Sequence, residues 1–143
     1  MPLVRIYMRP GCEISDDHLE LASEEIVPAC YHTKRHPLTP GSIQFVKPVR
    51  DCSGLKDDVF VETVGFFYHD RAEIIDEERA PLMGRAFEEL FPGVTFAVWP
   101  TLVTAGYWAD SVDPSFDGDM SMPAAIERAR AAIGAAQPLH QGT

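Results

Sequence analysis

Basic residues are scarce in this chain of 143 residues. Twelve Lys and Arg stand against 22 Asp and Glu, for a formal net charge of −10. A surface of that sign opposes binding to nucleic acid, whose phosphates need a basic patch. It leaves room for a small anionic substrate, because a few arginines in one pocket override the global field. Cysteine is scarce too: Cys12, Cys30 and Cys52 are widely spaced and form no Cys-x-x-Cys. That pattern argues against a disulfide scaffold or a zinc ribbon. No apolar run approaches the roughly 20 residues that span a bilayer. No basic stretch followed by an apolar segment opens the chain, so the expectation is a cytoplasmic protein with no membrane partner.

Strands and helices alternate in what remains. Residues 3–8, LVRIYM, set Leu3, Arg5 and Tyr7 on one face of a strand and Val4, Ile6 and Met8 on the other. Ser15 is placed to cap a helix, with Asp16 and Asp17 in the first turn, where the helix dipole favours acids. Leu19, Ala22, Ile26 and Ala29 or Cys30 recur at helical spacing, and Pro28 is expected to kink or end that helix. The run 32–41 reads as a connecting loop and 42–49 as a second strand.

Residues 59–68, VFVETVGFFY, are rich in Val and aromatics and read as the strongest strand. A helix of about 72–91 follows, with Leu82 or Met83, Ala86, Phe87 and Leu90 on its apolar face and Pro81 weakening it. A strand at 94–99, an acidic loop at 110–122 and a helix beginning at Pro123 complete the chain, with a frayed end. The order is strand, helix, strand, twice, at a period near 55 residues. The expected fold is therefore α+β. Two β-α-β units, about 2–50 and 58–104, would form a four-stranded sheet with two helices on one face, followed by a C-terminal helix. The other face would be covered most simply by other subunits.

Two atoms compete as the reactive centre. Cys12 and Ser15 make a Cys-x-x-Ser that resembles a glutaredoxin loop, which would need a low thiol pKa at a helix N-terminus. It would also need a Pro segment some 40–55 residues later, followed by Gly-Gly. Trp99-Pro100-Thr101 comes too late, and no Gly-Gly occurs. The rival is Pro2. Methionine aminopeptidases remove Met before proline, which would leave a secondary amine held by the strand behind it. An unperturbed α-amino group titrates near 8, and burial beside cations lowers that value. A neutral secondary amine is a competent general base and can attack carbonyl carbon.

Over about residues 2–110 the chain resembles the tautomerase superfamily, whose members carry an N-terminal proline on a β-α-β unit. The likeness rests on PLVRIYM, SDDHLELASEEIV, LTPGSIQFV and VFVETVGFFYHDR. The two-unit length is similar to cis-3-chloroacrylic acid dehalogenase, malonate semialdehyde decarboxylase and macrophage migration inhibitory factor. The resemblance implies a cofactor-free homotrimer with sites near subunit edges. Its substrate would be a small 2-keto acid or enol carboxylate. Pro2 would be the acid or base, Arg9 would hold a substrate carboxylate, and Arg71 would grip a carboxylate or steady an enolate oxygen. A structural role for either arginine is an ion pair with Asp70, Glu73 or Glu13.

Departures from the family narrow the chemistry. Cys12 stands where members keep a second arginine, Gln44 where an arginine is common on the second strand, and Thr39-Pro40-Gly41 where decarboxylases place an aspartate. Asp110 is the nearest candidate for a water-activating acid. These differences favour tautomerase-like isomerisation, with hydratase-dehalogenase or decarboxylase chemistry as a side activity. The alternatives are a non-enzymatic binding trimer of the same fold and the thiol protein.

Among other features, Asp113 to Asp119 opens like an EF-hand loop, but Ala124 stands where the twelfth-position Glu should be, so it reads as an acidic turn. His32, His36 and His69 read as solvated or capping residues, and no metal is expected. The aromatic residues 66–68, Trp99, Tyr107 and Trp108 suit the core or an interface, with Trp99 or Tyr107 the ones that could line a pocket.

Overall fold

A computed structural model describes residues 1–104 and 113–141. Its elements run β1 (Leu3–Met8), α1 (Asp16–Tyr31), β2 (Gln44–Phe45), β3 (Val59–Phe66) and α2 (His69–Ile74). A π-helical turn (Ile75–Arg79) then leads to α3 (Ala80–Leu90), β4 (Phe96–Val103) and α4 (Met122–Gln141). The sheet order is β2-β1-β3-β4. β1 is parallel to β2 and β3 to β4, while β1 and β3 run antiparallel from Leu3↔Val64 to Met8↔Val59. The fold is thus α+β, with two β-α-β units side by side in one mixed sheet.

The core lies on one face. Val4, Ile6, Met8, Val59 and Val61 point into it from the sheet, and Leu19, Ala22, Ile26, Met83, Ala86 and Phe87 meet them from α1 and α3. Leu82, the alternative to Met83, is exposed. α4 packs chiefly on α1, burying Ala125 and Ala129 and joining Arg128 to Glu25 at 2.7 Å. The opposite sheet face bears Leu3, Arg5, Tyr7, Phe60, Glu62 and Trp99, and no element of the described chain covers it. Trp99 is 66% exposed there.

Prolines bear on the departures from the expected boundaries of α1 and β2. α1 does not end at Pro28 but continues to Tyr31. Proline cannot donate to the carbonyl four residues back, and that carbonyl, on Glu24, accepts instead from the Gly41 N–H at 2.9 Å. Gly41, at φ +80°, makes the turn that permits this. β2 is shorter than 42–49 for a related reason. The N–H groups of Gln44 and Val46 donate to Pro2 and Val4, and the next donor in that rhythm would be residue 48. Pro48 has no N–H, so the bond to Ile6 comes one residue late, from Val49.

In the second unit, Pro81 falls in the first turn of α3, where its missing N–H costs nothing. The helix expected over 72–91 is present as continuous helical backbone from His69 to Leu90, made of α2, the π turn and α3. β4 extends past the expected 99 to Val103 and carries Pro100 within it. An edge strand tolerates that residue, because one side of its backbone has no partner to serve.

Candidate functional site

The end of α1 organises the region around the chain's first residues. Ser15 caps the helix as expected, accepting from the His18 N–H at 3.1 Å. At the other end, Tyr31 passes beneath the sheet, fully buried, with its hydroxyl 2.7 Å from Thr63 Oγ1. Burial pushes its phenol pKa up, and the Thr63 bond only partly offsets this. The ring lies against Gly65 so closely that a Cβ there would sit 2.6 Å from it. Carbonyls at the end of α1 and just beyond it accept from the Arg79 guanidinium, Ala29 at 3.2 Å and the following His32 more closely.

Beyond Tyr31 the chain folds into a tight loop. The Leu38 N–H donates to His32 Nδ1 at 2.9 Å, and the His36 N–H to Thr33 Oγ1 at 2.9 Å. This presents Arg35 and His36 to the C-terminal end of β3. Arg71, in the first turn of α2, fastens the pieces together. It is 4% exposed and donates from Nε to the Tyr31 carbonyl at 2.8 Å, from Nη1 to Phe66 at 3.1 Å and from Nη2 to His36 at 3.4 Å. Its guanidinium carbon lies 5.0 Å from the centre of the Tyr68 ring.

These pieces enclose a cavity of about 300 Å³, lined by Met1, Arg35, His36, Phe66, Tyr68 and Arg71 among others. A second cavity of about 320 Å³ adjoins it, sharing Arg35, His36 and Tyr68 and adding His69 and Asp70. Arg35 is exposed and forms no hydrogen bond or ion pair with the described residues. Asp70 faces His36 Nδ1 at 3.1 Å, and its carboxyl is held below its ordinary range by the Thr33 hydroxyl and then by His36. An acidic chain thus concentrates two guanidinium groups and an imidazole beside its own N-terminus, a field suited to a small anion.

The sequence-derived candidates divide between two places. Pro2 and Arg71 come together: Pro2 is buried, its carbonyl starts the β1–β2 pairing, and the residue bonded to its nitrogen lines the same cavity as Arg71. Arg9 does not join them within one chain. It follows the far end of β1, seven residues from Pro2 at roughly 3.3 Å each, and donates to the Lys56 carbonyl at 3.4 Å. Trp99 sits mid-strand on the open face, its ring 5.4 Å from that of Phe60. Tyr107 and Asp110 lie outside the described residues.

Cys12 is half-buried in the loop before α1, and Ser15 rather than Cys12 caps that helix, so the thiol lacks the helix N-terminus that would activate it. Cys30 is fully buried, its pKa pushed up to about 12 by that burial, and stays a thiol. Asp113 and Asp119 are engaged locally by Ser115 and Ser121. Among the described residues no three His, Cys, Asp or Glu side chains come together to hold a metal ion, and no helix is long and apolar enough to cross a membrane.

Arg35 is passed over by sequence reasoning, and His36 reads there as a solvated or capping residue, because a loop has no periodicity to mark its orientation. One signal was present: HTKRH is the densest basic run in a chain short of bases. No protein-family model, curated protein or solved structure matches this chain.

Proposed function

We propose that the protein is a cytoplasmic, cofactor-independent tautomerase-like enzyme. The amine of Pro2, exposed by removal of Met1, would move a proton between carbon and oxygen of a small 2-keto acid or enol carboxylate. The observation that carries this reading is the shared cavity of Met1, Arg35 and Arg71. Cleaving the Met1–Pro2 bond would leave the amine where the peptide now sits and would vacate the space Met1 fills. The adjacent guanidinium charges favour the neutral amine, which is the form that takes a proton.

The two arginines have different duties in this reading. Three of the N–H groups of Arg71 serve backbone carbonyls, so it acts as a fixed positive charge behind the developing enolate. Arg35 is the group able to close on a carboxylate. Three protomers associating through the open sheet face would cover Tyr7, Phe60 and Trp99; sedimentation showing a monomer would remove this part of the proposal.

The test is turnover of phenylpyruvate by the wild type and by Pro2→Ala. A loss of about 10²-fold or more is expected for removal of a positioned base. Equal rates would sink the proline mechanism and favour a ligand-binding role for the same cavity. Abolition of a glutathione-dependent activity by Cys12→Ser alone would instead support the thiol.

A further inference from the structure

Keto–enol exchange moves two protons, one at carbon and one at oxygen, and a single amine serves only one of them at a time. We propose that His36, held by Asp70, is the second proton-transfer group of this site, serving the substrate oxygen while Pro2 serves the carbon. The inference rests on the Pro2 reading and extends it.

Geometry supports it from three sides. His36 lines the cavity that Met1 lines, and removal of Met1 would open that space towards the Pro2 amine. The ring is immobilised by stacking on Tyr68, with centroids 3.5 Å apart and planes 9° from parallel. Its Nδ1 lies 3.1 Å from Asp70 Oδ1. An ionised carboxylate only accepts, so the proton of that bond belongs to Nδ1, and Nε2 is left as the nitrogen that exchanges protons. Nε2 has no hydrogen-bond partner among the described residues.

The step balances without any co-reactant. In ketonisation, Nε2 takes the proton of the enol hydroxyl, and that O–H pair becomes the second bond of the carbonyl. The former C=C pair takes the proton from the prolinium nitrogen and becomes a C–H bond. A neutral amine and an imidazolium remain, and solvent resets both. Enolisation is the reverse. The charged and titratable groups around the imidazole are Asp70 and His69 of α2, Arg71 above its backbone carbonyl, Arg35 beside it in the loop and the Tyr68 ring, with Met1 lining the same cavity.

The experiment is the pH dependence of ketonisation of the enol of phenylpyruvate by the wild type, His36→Gln, Asp70→Asn and Pro2→Ala. His36→Gln keeps the backbone bonds of the loop, and its fold is checked by its unfolding midpoint. Expected are a kcat about 10²-fold lower with KM little changed, and loss of the imidazole limb of the pH profile. Asp70→Asn, which keeps the imidazole but frees its orientation, should show a smaller loss in the same direction. Wild-type kcat in both variants, with Pro2→Ala inactive, overturns the proposal and leaves the Pro2 reading standing. A fully active Pro2→Ala, or a wild type inert towards phenylpyruvate, overturns both.

Discussion

The two ends of β1 carry the same kinds of residue and use them differently. At the start, Arg71 is buried and bound to three carbonyls from separate parts of the chain, while Arg35 stands exposed beside it. At the finish, Arg9 reaches the Lys56 carbonyl and Arg50 serves the carbonyls of Cys12 and Ile14 at 3.1 and 2.7 Å, all at the surface. Arginines at the finish tidy loops. Those at the start frame a cavity that contains the N-terminus. Position on the strand, and not residue type, therefore selects the candidate site.

That contrast can be broken most forcefully at Arg71. Arg71→Leu would leave the Tyr31, Phe66 and His36 carbonyls without their charged donor, and a loss of about 3–5 kcal/mol in denaturant-derived stability is expected. Arg71→Lys should recover little of it, because one ammonium group cannot serve three carbonyls in a fixed fork. A next, smaller effect is expected at Gly65. A methyl there meets the buried Tyr31 ring, and Gly65→Ala should cost about 1–3 kcal/mol as overpacking. Unchanged stability would mean that Tyr31 has room to move, and the cavity wall with it.

The remaining arginines separate binding from stability. Arg35→Ala should leave the unfolding midpoint nearly unchanged and raise KM for phenylpyruvate by roughly ten- to a hundredfold, the worth of one charge-assisted contact. Arg9→Ala should change KM less than about twofold, since the exposed Arg9 guanidinium, at the far end of the strand, makes one long hydrogen bond among the described residues. Equal effects from the two substitutions would erase the distinction between the ends.

Much of the fold was legible because it follows from periodicity. The alternation in LVRIYM set β1 at residues 3–8, and the spacing from Leu19 to Cys30 identified the buried face of α1. What was not legible depends on distant partners. Nothing near Pro28 announces that Gly41 will take up the carbonyl it leaves, so whether the proline kinks or ends the helix is not decided locally. The grouping of Pro2 with Arg71 came from resemblance, whereas Arg35 and His36 join them only because the loop after Tyr31 is drawn to the end of β3. Arg9 and Trp99 looked equally eligible in a list of residues, and only the direction of the strands separates them from the cavity.

The most direct measurement follows the amine itself. Intact mass gives the fraction of chains that have lost Met1, and phenylpyruvate turnover is then measured on preparations that differ in that fraction. Activity should rise in proportion to the processed fraction and vanish where Met1 is retained. Full activity in protein that keeps Met1 would contradict the account, because no secondary amine would then be present at position 2.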